Sequence, residues 1–308
     1  MPRCNKTGDH PRRTVFRANF TSKTISHAFV LAISNSPRRS GNPPLEAVTR
    51  QFLTLISTLA LLMLSFNIST ASETPPAEKP AAPPGAEQIY HAARQRFQAA
   101  PDNAELAIQF GRACFDAADA AASASQRAQY AQEGIDACRK VLNLNPKLVQ
   151  GHYYLALNLG QLARTKSIGA LKLVAQMETT LKHAIELDPA FDYAGPHRSI
   201  GLLYFDAPGW PVSVGSRSKA RHHLQKAVEL SPDYPENWIA LFEAYLRWDD
   251  HHALAAQLPA ATEKVKAARQ QFTGERWAAA WRDWNPRWEQ IEAKTKTIAS
   301  SSPKTQAP

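Results

Sequence analysis

The sequence contains few cysteines and glycines, and it lacks the short motifs by which the common enzyme classes are recognised. Three cysteines in 308 residues exclude a disulfide-rich scaffold. The chain has no nucleophile-elbow serine, no glycine-rich nucleotide fingerprint and no His-Glu-x-x-His metal helix. We therefore expect no enzymatic activity, no cofactor and no bound metal. The run of ligand-type residues at 249–252 (DDHH) is interpreted as a polar turn, because adjacent residues on a helix cannot converge on one ion.

The part of the chain that follows residue 71 also lacks a surplus of basic charge. The net charge is +9, but residues 1–50 alone carry nine Lys or Arg and only two acids. Residues 51–71 are uncharged, and the remainder has 27 basic and 25 acidic residues. Because a nucleic-acid-binding surface needs clustered positive charge, we expect no nucleic-acid partner.

One long apolar run, residues 52–68 (FLTLISTLALLMLSFNI), follows Arg50 and precedes the small residues Ser69 to Ala71. A basic flank, a short apolar core and small residues at its end are typical of a secretory signal peptide. Residues 48–71 are therefore interpreted as a signal peptide cleaved after Ala71, or as an uncleaved N-terminal anchor. On either interpretation the protein is exported: it is periplasmic, or it is attached to the membrane through residues 52–68.

The remaining terminal segments have compositions that disfavour a packed core. Residues 1–47 are interpreted either as sequence upstream of a true start at Val48, or as an organelle-targeting peptide rich in Arg and Ser. Residues 72–100 begin as a proline-rich linker and lead into a first helix. Residues 293–308 are predicted to form a disordered tail.

Between these segments the chain repeats with a period marked by proline. Pro101, Pro146, Pro189 and Pro232 stand in similar contexts, at spacings of 45, 43 and 43 residues. A fixed period of this length is typical of a solenoid, and proline both ends one helix and opens the next. The spacing predicts four units of two helices each: residues 101–145, 146–188, 189–231 and 232–273. The second helix of the last unit is predicted over residues 259–272.

Small residues recur in the first helix of three units, at Gly111, Ala156 and Gly201. A small side chain lets the second helix of the unit approach closely. The corresponding residue of the fourth unit is Phe242, so its two helices are expected to cross more widely or to be shifted.

These residues resemble the tetratricopeptide repeat. The third unit matches its pattern best, with Ile200-Gly201 and Tyr204 in the first helix and Ala220, Leu224, Ala227, Leu230 and Pro232 after it. The resemblance covers residues 101–248. It implies an all-α, right-handed α-solenoid of about four helical hairpins. A helix over residues 274–292 is predicted to cap it, with Trp277, Trp281, Trp284 and Trp288 as a stripe covering the last apolar face. The alternative is an aromatic platform for a sugar or a partner.

A narrower resemblance lies in the long hairpins behind the apolar leader. They look like the T-component family of TRAP transporters, and regulator-of-microtubule-dynamics proteins are similar. The first family implies a periplasmic protein that partners a substrate-binding protein. This sequence lacks the lipoprotein cysteine of that family.

The segment 204–220 (YFDAPGWPVSVGSRSKA) is rich in Gly and Pro and falls between the two helices of the third unit. Its glycines do not have the spacing of a phosphate-binding loop, and no strand precedes it. We expect a stiff turn in which Trp210 folds back over the helices. The alternative is a partner-binding loop, since long ordered loops are often functional.

The predicted function is that of a non-enzymatic scaffold whose concave face, lined by the first helices, binds a partner protein. Its arginines favour a partner with carboxylates. The alternative is a small-molecule-binding component, for an organic acid or a hydrophobe, that acts as an oligomer. The repeat register places these candidates in the groove: Ile108, Arg112, Tyr153, Gln161, Arg198, Phe205, Glu243 and Arg247.

Cys114 and Cys138 lie on the two helices of the first unit, about equally far from the hairpin tip. Antiparallel helices bring such positions near each other. The pair is interpreted either as a disulfide formed in an oxidising compartment or as two buried free thiols.

Overall fold

The structure, a computed structural model, describes residues 85–301 and contains ten helices there, with no β-strand in that range. The predicted leader, the signal peptide or anchor, most of the linker and the end of the tail lie outside the described residues. The helices are α1 (Ala86–Ala99), α2 (Ala104–Ala120), α3 (Ala124–Leu144), α4 (Val149–Ala163), α5 (Ala170–Leu187), α6 (Phe191–Asp206), α7 (Arg217–Leu230), α8 (Pro235–Arg247), α9 (His251–Gln271) and α10 (Glu275–Ser301).

Several helices begin where a short polar side chain satisfies a backbone N–H of the first turn. Asn103 accepts a hydrogen bond from the Leu106 N–H at 3.1 Å, and Ser123 accepts one from Gln126 at 3.2 Å. Ser216 and Asp250 do the same for α7 and α9. Such caps replace the hydrogen bonds that the first turn of a helix cannot make internally. Helix α8 instead has Pro235 in its first turn.

Successive helices pack as hairpins, α2 with α3, α4 with α5, α6 with α7 and α8 with α9. The first helices of the hairpins also pack on one another, in the order α2, α4, α6 and α8, and α10 packs on α8. Helix α1 packs on α2 ahead of the first hairpin. This arrangement is the predicted tetratricopeptide-like solenoid of four hairpins with a C-terminal capping helix. None of the helices between residues 85 and 301 combines the length and the hydropathy of a transmembrane segment.

The helices of a hairpin approach closely at the predicted glycines. A Cβ added to Gly111 would lie 2.5 Å from the Cys138 Sγ, and one added to Gly201 would lie 2.9 Å from the Leu224 side chain. Both glycines are buried in α2 and α6. A side chain at either position would push the second helix of the hairpin away.

The C-terminal helix covers the end of the array with its aromatic face. Trp277, Trp284 and Trp288 are buried, and Trp281 is half-buried with its indole N–H donated to the Phe272 carbonyl at 2.7 Å. The predicted stripe is therefore part of the packed core. Of the four rings only Trp281 keeps part of its surface exposed, and the Arg269 guanidinium lies 4.9 Å from its centroid, so the stripe does not form the open platform of the alternative interpretation.

Two helix boundaries differ from the predicted ones. Helix α9 begins at His251 because Asp250 caps it, and Pro259 lies inside the helix instead of starting it. Helix α10 continues to Ser301, so residues 293–301 are helical and the predicted disordered tail begins too early. Residues 293–301 contain no Gly or Pro that would end a helix, and the next proline is Pro303.

Helix α6 starts with a left-handed turn that the sequence did not predict. Asp192, Tyr193 and Ala194 have φ angles of 48°, 56° and 59°. Such angles cost roughly 1–2 kcal/mol per residue for L-amino acids. The Tyr193 ring stacks on Tyr234 with centroids 4.4 Å apart, and its carbonyl accepts hydrogen bonds from Arg198 and Asn237. These contacts hold the turn in place.

The loop of residues 207–216 is a compact turn, but Trp210 does not fold back as predicted. The loop is closed by a hydrogen bond from the Gly215 N–H to the Pro208 carbonyl at 2.9 Å, and a Cβ at Gly215 would collide with the Ala207 carbonyl. This closure leaves Trp210 at the tip, 88% exposed. The prediction was wrong because Ala207 and Val214 of the loop, and not Trp210, pack against the core of the helices.

Candidate functional site

A cleft of about 770 Å³ lies between the C-terminal ends of α6 and α8 and the second half of α10. It is the most promising site for a partner because the long helix α10 extends past the end of α8 and forms a wall there. Its lining combines apolar and charged side chains: Phe205, Glu243, Leu246, Arg247, Asp249, His251, Arg287, Gln290, Ile291, Ala293, Lys294, Thr297 and Ile298.

The floor of the cleft is held by Arg287 of α10. Its guanidinium donates to both carboxylate oxygens of Glu236 at 3.1 and 3.0 Å, and to both of Glu243 at 2.8 Å. It also donates to Asp283, one turn earlier in the same helix, at 2.7 Å. Arg287 is buried, so this cluster fixes α10 against α8 and is not offered to a ligand.

The rim of the cleft carries Arg247, which is part of α8. Its guanidinium carbon lies 3.8 Å from the centroid of the Phe205 ring, and its Nη1 donates to Asp206 at 2.9 Å. The Asp206 side chain is buried, whereas that of Arg247 is 43% exposed. The ion pair and the aromatic ring therefore hold a cation at the edge of the cleft in a defined position.

The walls supply apolar surface and a second cation. Leu246 and Ile298 are half-buried, Ile291 is buried, and Lys294 is exposed on the α10 side. A cleft of this kind can accept an apolar side chain against its walls and a carboxylate at its basic rim.

A second row of polar side chains lies on α2 and α4. The Arg112 Nε lies 3.7 Å from Asp116, and Asp119 accepts hydrogen bonds from Gln161 at 3.2 Å and from Arg164 at 3.5 Å. Burial raises the pKa of Asp116 to about 7, Asp119 and Asp192 add to that shift, and Arg112 opposes it. These groups bind one another and tie the two hairpins together.

The eight residues predicted for the groove divide into two sets. Phe205, Glu243 and Arg247 line the cleft, and Arg112 is partly exposed in the polar row. The other four are buried in the packed interior: Ile108, Tyr153, Gln161 and Arg198. The repeat register placed them on the correct helices, but the tight packing of α2, α4 and α6 covers their side chains.

Arg198 illustrates this outcome. It is fully buried, its Nη1 donates to Asn237 at 2.8 Å and to the Tyr193 carbonyl at 3.2 Å, and it lies over the Tyr234 ring. Its role in this structure is to join α6 to α8. That role differs from the predicted contact with a partner's carboxylate.

Arg287 and Lys294 were missed by the sequence reasoning. Arg287 lies between Trp284 and Trp288 of the tryptophan stripe, and Asp283 stands four residues before it. An arginine inside an aromatic stripe with an acid at i−4 was a signal of a buried ion pair. Lys294 had no such signal, because the chain beyond residue 292 was interpreted as disordered.

Cys114 and Cys138 are buried free thiols in the structure. Burial raises the pKa of Cys138 to about 12, and burial also raises that of Cys114. The second of the two predicted alternatives therefore describes this structure. Among the described residues, no group of three or more His, Cys, Asp or Glu side chains is placed to hold a metal ion.

Comparison with known proteins relates the first part of the array to one family. The sequence profile of the family described as "Regulator of microtubule dynamics protein 1-3" matches residues 82–206, less than half of the chain. A search of curated protein sequences found no match.

Solved structures of repeat proteins are similar to this chain at low sequence identity. A thermophilic TPR protein of Thermus thermophilus is 18% identical, with a TM-score of 0.46, over 69% of this chain and 89% of that one. Two structures of MamA are 15% and 16% identical, with TM-scores of 0.36 and 0.35. They cover 68% and 72% of this chain, and 91% and 89% of their own. The comparisons add no support for the resemblance to the TRAP T-component.

Proposed function

We propose that this protein is an interaction scaffold and that it binds a segment of a partner protein in the cleft between α6, α8 and α10. The proposal is based mainly on the position of Arg247, which Phe205 and Asp206 hold in place at the rim of this cleft. A fixed and partly exposed arginine beside an apolar wall fits a segment with an apolar side chain next to a carboxylate.

The charges of the cleft limit the partner further. Glu243 is engaged by Arg287, and Asp249 is exposed at the α8 end of the cleft. A carboxylate of the partner is therefore expected to lie between Arg247 and Lys294, away from Asp249, because like charges would repel it there. The partner's apolar side chain would then lie against Leu246 and Ile298.

We also propose that the protein is exported from the cytoplasm. The apolar run 52–68 supports export, followed either by cleavage or by anchoring. Within the narrower resemblance to the TRAP T-component, the partner would be a periplasmic substrate-binding protein.

A reversal of charge at the cleft tests this proposal. A photo-reactive amino acid at Leu246 in the full chain, expressed in the native host, should crosslink to a discrete partner. Lys294→Glu should lower the yield of this crosslink about tenfold, since it replaces an attraction for the partner's carboxylate by a repulsion. Lys296→Glu is the matched control, because Lys296 is exposed on the same helix and does not line the cleft. Equal crosslinking by both variants would contradict the proposed site.

The volume of the cleft also supports a second candidate function, binding of a small organic acid. Ligand pockets in proteins are typically about 300–1,000 Å³. Native mass spectrometry of protein purified from its host distinguishes the two, because a retained small molecule would add mass that Lys294→Glu removes. A protein segment bound in the cleft would appear as a heteromeric complex instead.

A further inference from the structure

The largest exposed apolar side chains in the middle of the array lie at the tips of two neighbouring loops. Trp210 is 88% exposed and Val212 is 58% exposed in the loop of residues 207–216. Ile168 is 93% exposed in the loop of residues 164–169, and Leu171 follows it at the start of α5. Exposed apolar side chains of this size that cluster mark a surface that contacts something apolar.

Both loops lie on one edge of the array. The first helices of the hairpins run in the same direction. Gln161 bonds to Asp119 at the ends of α4 and α2, and Arg247 bonds to Asp206 at the ends of α8 and α6. The rings of Tyr153 and Phe191, 5.4 Å apart, join the starts of α4 and α6. The loops that follow these helices therefore share an edge. We call it the loop edge; it comprises residues 121–123, 164–169, 207–216 and 248–250.

The chain also enters the described array at the loop edge. Tyr130, near the start of α3, donates a hydrogen bond to Glu87 in the first turn of α1 at 3.1 Å. The Tyr90 hydroxyl donates to Glu133 at 2.8 Å, so α1 runs parallel to α3 from the same edge. The segment between the apolar run 52–68 and residue 85 can span roughly 50 Å when extended. A retained apolar run would thus tether the loop edge to a membrane.

The charge of the two loops fits an anionic surface. Lys166 and Lys172 flank Ile168, and Arg217 and Lys219 follow Trp210, all of them exposed. Residues 164–173 and 207–221 contain no acid at all. Asp249, an exposed acid of the loop edge, lies beside the fourth hairpin, and the exposed Glu87 lies near this edge at the start of α1; both are outside these two loops.

The opposite edge of the array carries charges of both signs. Asp102 and Asp233 are exposed there but pair with Lys140 and Lys264 at 2.9 and 2.8 Å, and Lys147 is exposed at a junction between hairpins. The orientation of the protein on a negatively charged surface would therefore be set by the basic, acid-free loops that carry Ile168 and Trp210.

We propose that the loop edge docks on an anionic lipid membrane, with Trp210 and Ile168 at the level of the headgroups. Tryptophan is enriched at membrane–water interfaces because its ring is apolar and its N–H is polar. Lysine and arginine next to such anchors add attraction to anionic headgroups. Trp210 is well suited to this role, because the hydrogen-bonded loop beneath it holds the ring outward. The cleft described above shares Asp249 with the loop edge, but none of its lining residues belongs to the loops of residues 164–169 and 207–216.

Hydrogen exchange of the full chain in lipid nanodiscs tests the docking. Discs of phosphatidylcholine alone are compared with discs of an equal mixture of phosphatidylcholine and phosphatidylglycerol. In the anionic discs we expect the exposed amides of residues 164–173 and 207–216 to exchange about tenfold more slowly, and the protection to fall as salt is raised.

Two double variants make the test specific. Ile168→Ala/Trp210→Ala should remove the protection in anionic discs. Leu144→Ala/Leu187→Ala is the matched control, because these leucines are also exposed but lie at the ends of α3 and α5, on the opposite edge. Equal exchange in both kinds of disc would overturn the proposal. Protection that is independent of phosphatidylglycerol and rises with the number of protein molecules per disc would assign the edge to a second copy, and would also overturn it.

Discussion

The Arg287 Nη1 lies 3.1 and 3.0 Å from the two carboxylate oxygens of Glu236, and both side chains are buried. Burial raises the pKa of Glu236 to about 7, and Arg287 and Arg198 oppose that shift. Arg287 therefore limits the rise in the pKa of Glu236, which would be higher still without the arginine beside it. The pair joins α10 to α8 and forms the floor of the proposed binding cleft.

Removal of one partner of this pair should lower the free energy of unfolding more than removal of both. Arg287→Met leaves Glu236 buried beside two further carboxylates, and we expect it to lower the free energy of unfolding by about 3–5 kcal/mol. Arg287→Met/Glu236→Met should recover part of that loss, because the fully buried carboxylate is then removed, while those of Glu243 and Asp283 keep some access to solvent. Denaturant-induced unfolding measures both effects.

An exposed arginine on the same helix serves as the control for this pair. Arg282→Met changes the same residue type on the same helix. It should lower the free energy of unfolding by less than about 0.5 kcal/mol. A double variant as unstable as Arg287→Met would show that the loss of stability comes from Glu243 and Asp283 and not from Glu236.

The stability of the protein should fall as the pH drops from 6.5 to 4, partly because of His197 and His223. Their Nδ1 atoms lie 2.9 Å apart, so one ring donates the hydrogen bond and the other accepts it. Burial lowers the pKa of both to about 4, and neighbouring histidines and lysines add to the shift. Below pH 6.5 the unfolded chain binds protons at these positions that the folded chain does not bind, which favours unfolding.

Replacement of one ring should reduce this loss. In His223→Gln, the drop in the free energy of unfolding between pH 7 and pH 5 should be about 1–2 kcal/mol smaller than in the parent chain. The neighbouring His222 is exposed and only adds to the shift of the pair, so His222→Gln should reduce the drop by less than His223→Gln does. An identical pH dependence in His223→Gln would mean that the pair does not titrate as described.

Two glycines that look alike in the sequence should respond oppositely to alanine. A Cβ at Gly201 would lie 2.9 Å from the Leu224 side chain and 3.1 Å from its backbone nitrogen, which cannot move aside. Gly201→Ala should therefore destabilise the protein by about 1–2 kcal/mol, after the gain in helix propensity is subtracted.

Gly160→Ala is the matched comparison, since Gly160 also lies within a first helix. Its Cβ would lie 3.3 Å from the end of the flexible Met177 side chain, which can shift. We expect it to be neutral or to stabilise by up to about 1 kcal/mol. Thermal unfolding of the two variants measures both changes in stability. A stabilising Gly201→Ala would show that the two helices of the hairpin pack less closely than described.

The hairpins could be predicted because their signals are local. Pro146, Pro189 and Pro232 each lie between two helices, so that each marks the end of one helix and the approach of the next. Gly201 packs against Leu224 within the same hairpin. The burial of Arg198 was not predictable in this way. It depends on Asn237 and Tyr234, which belong to the next hairpin along the chain.

The site was less predictable than the fold for the same physical reason. The cleft exists because α10 continues past residue 292 and lies beside the end of α8, and no short-range pattern encodes that contact. The exposure of Trp210 depends on how the backbone of residues 207–216 closes on itself. Hydrophobicity alone favoured the opposite prediction for that side chain.

The thiols of Cys114 and Cys138 should be inert in the folded protein and reactive once it unfolds. The thiolate is the form that reacts, and burial raises the pKa of both groups far above neutral pH. In a Cys4→Ser background at pH 8, a thiol reagent should label neither cysteine in buffer and both in denaturant, as counted by intact mass. Rapid labelling of the native chain would show that the first hairpin opens readily. Failure to label in denaturant, reversed by a reductant, would show that the two cysteines form a disulfide in the purified protein, so the hairpin would then be stabilised by a covalent link as well as by packing.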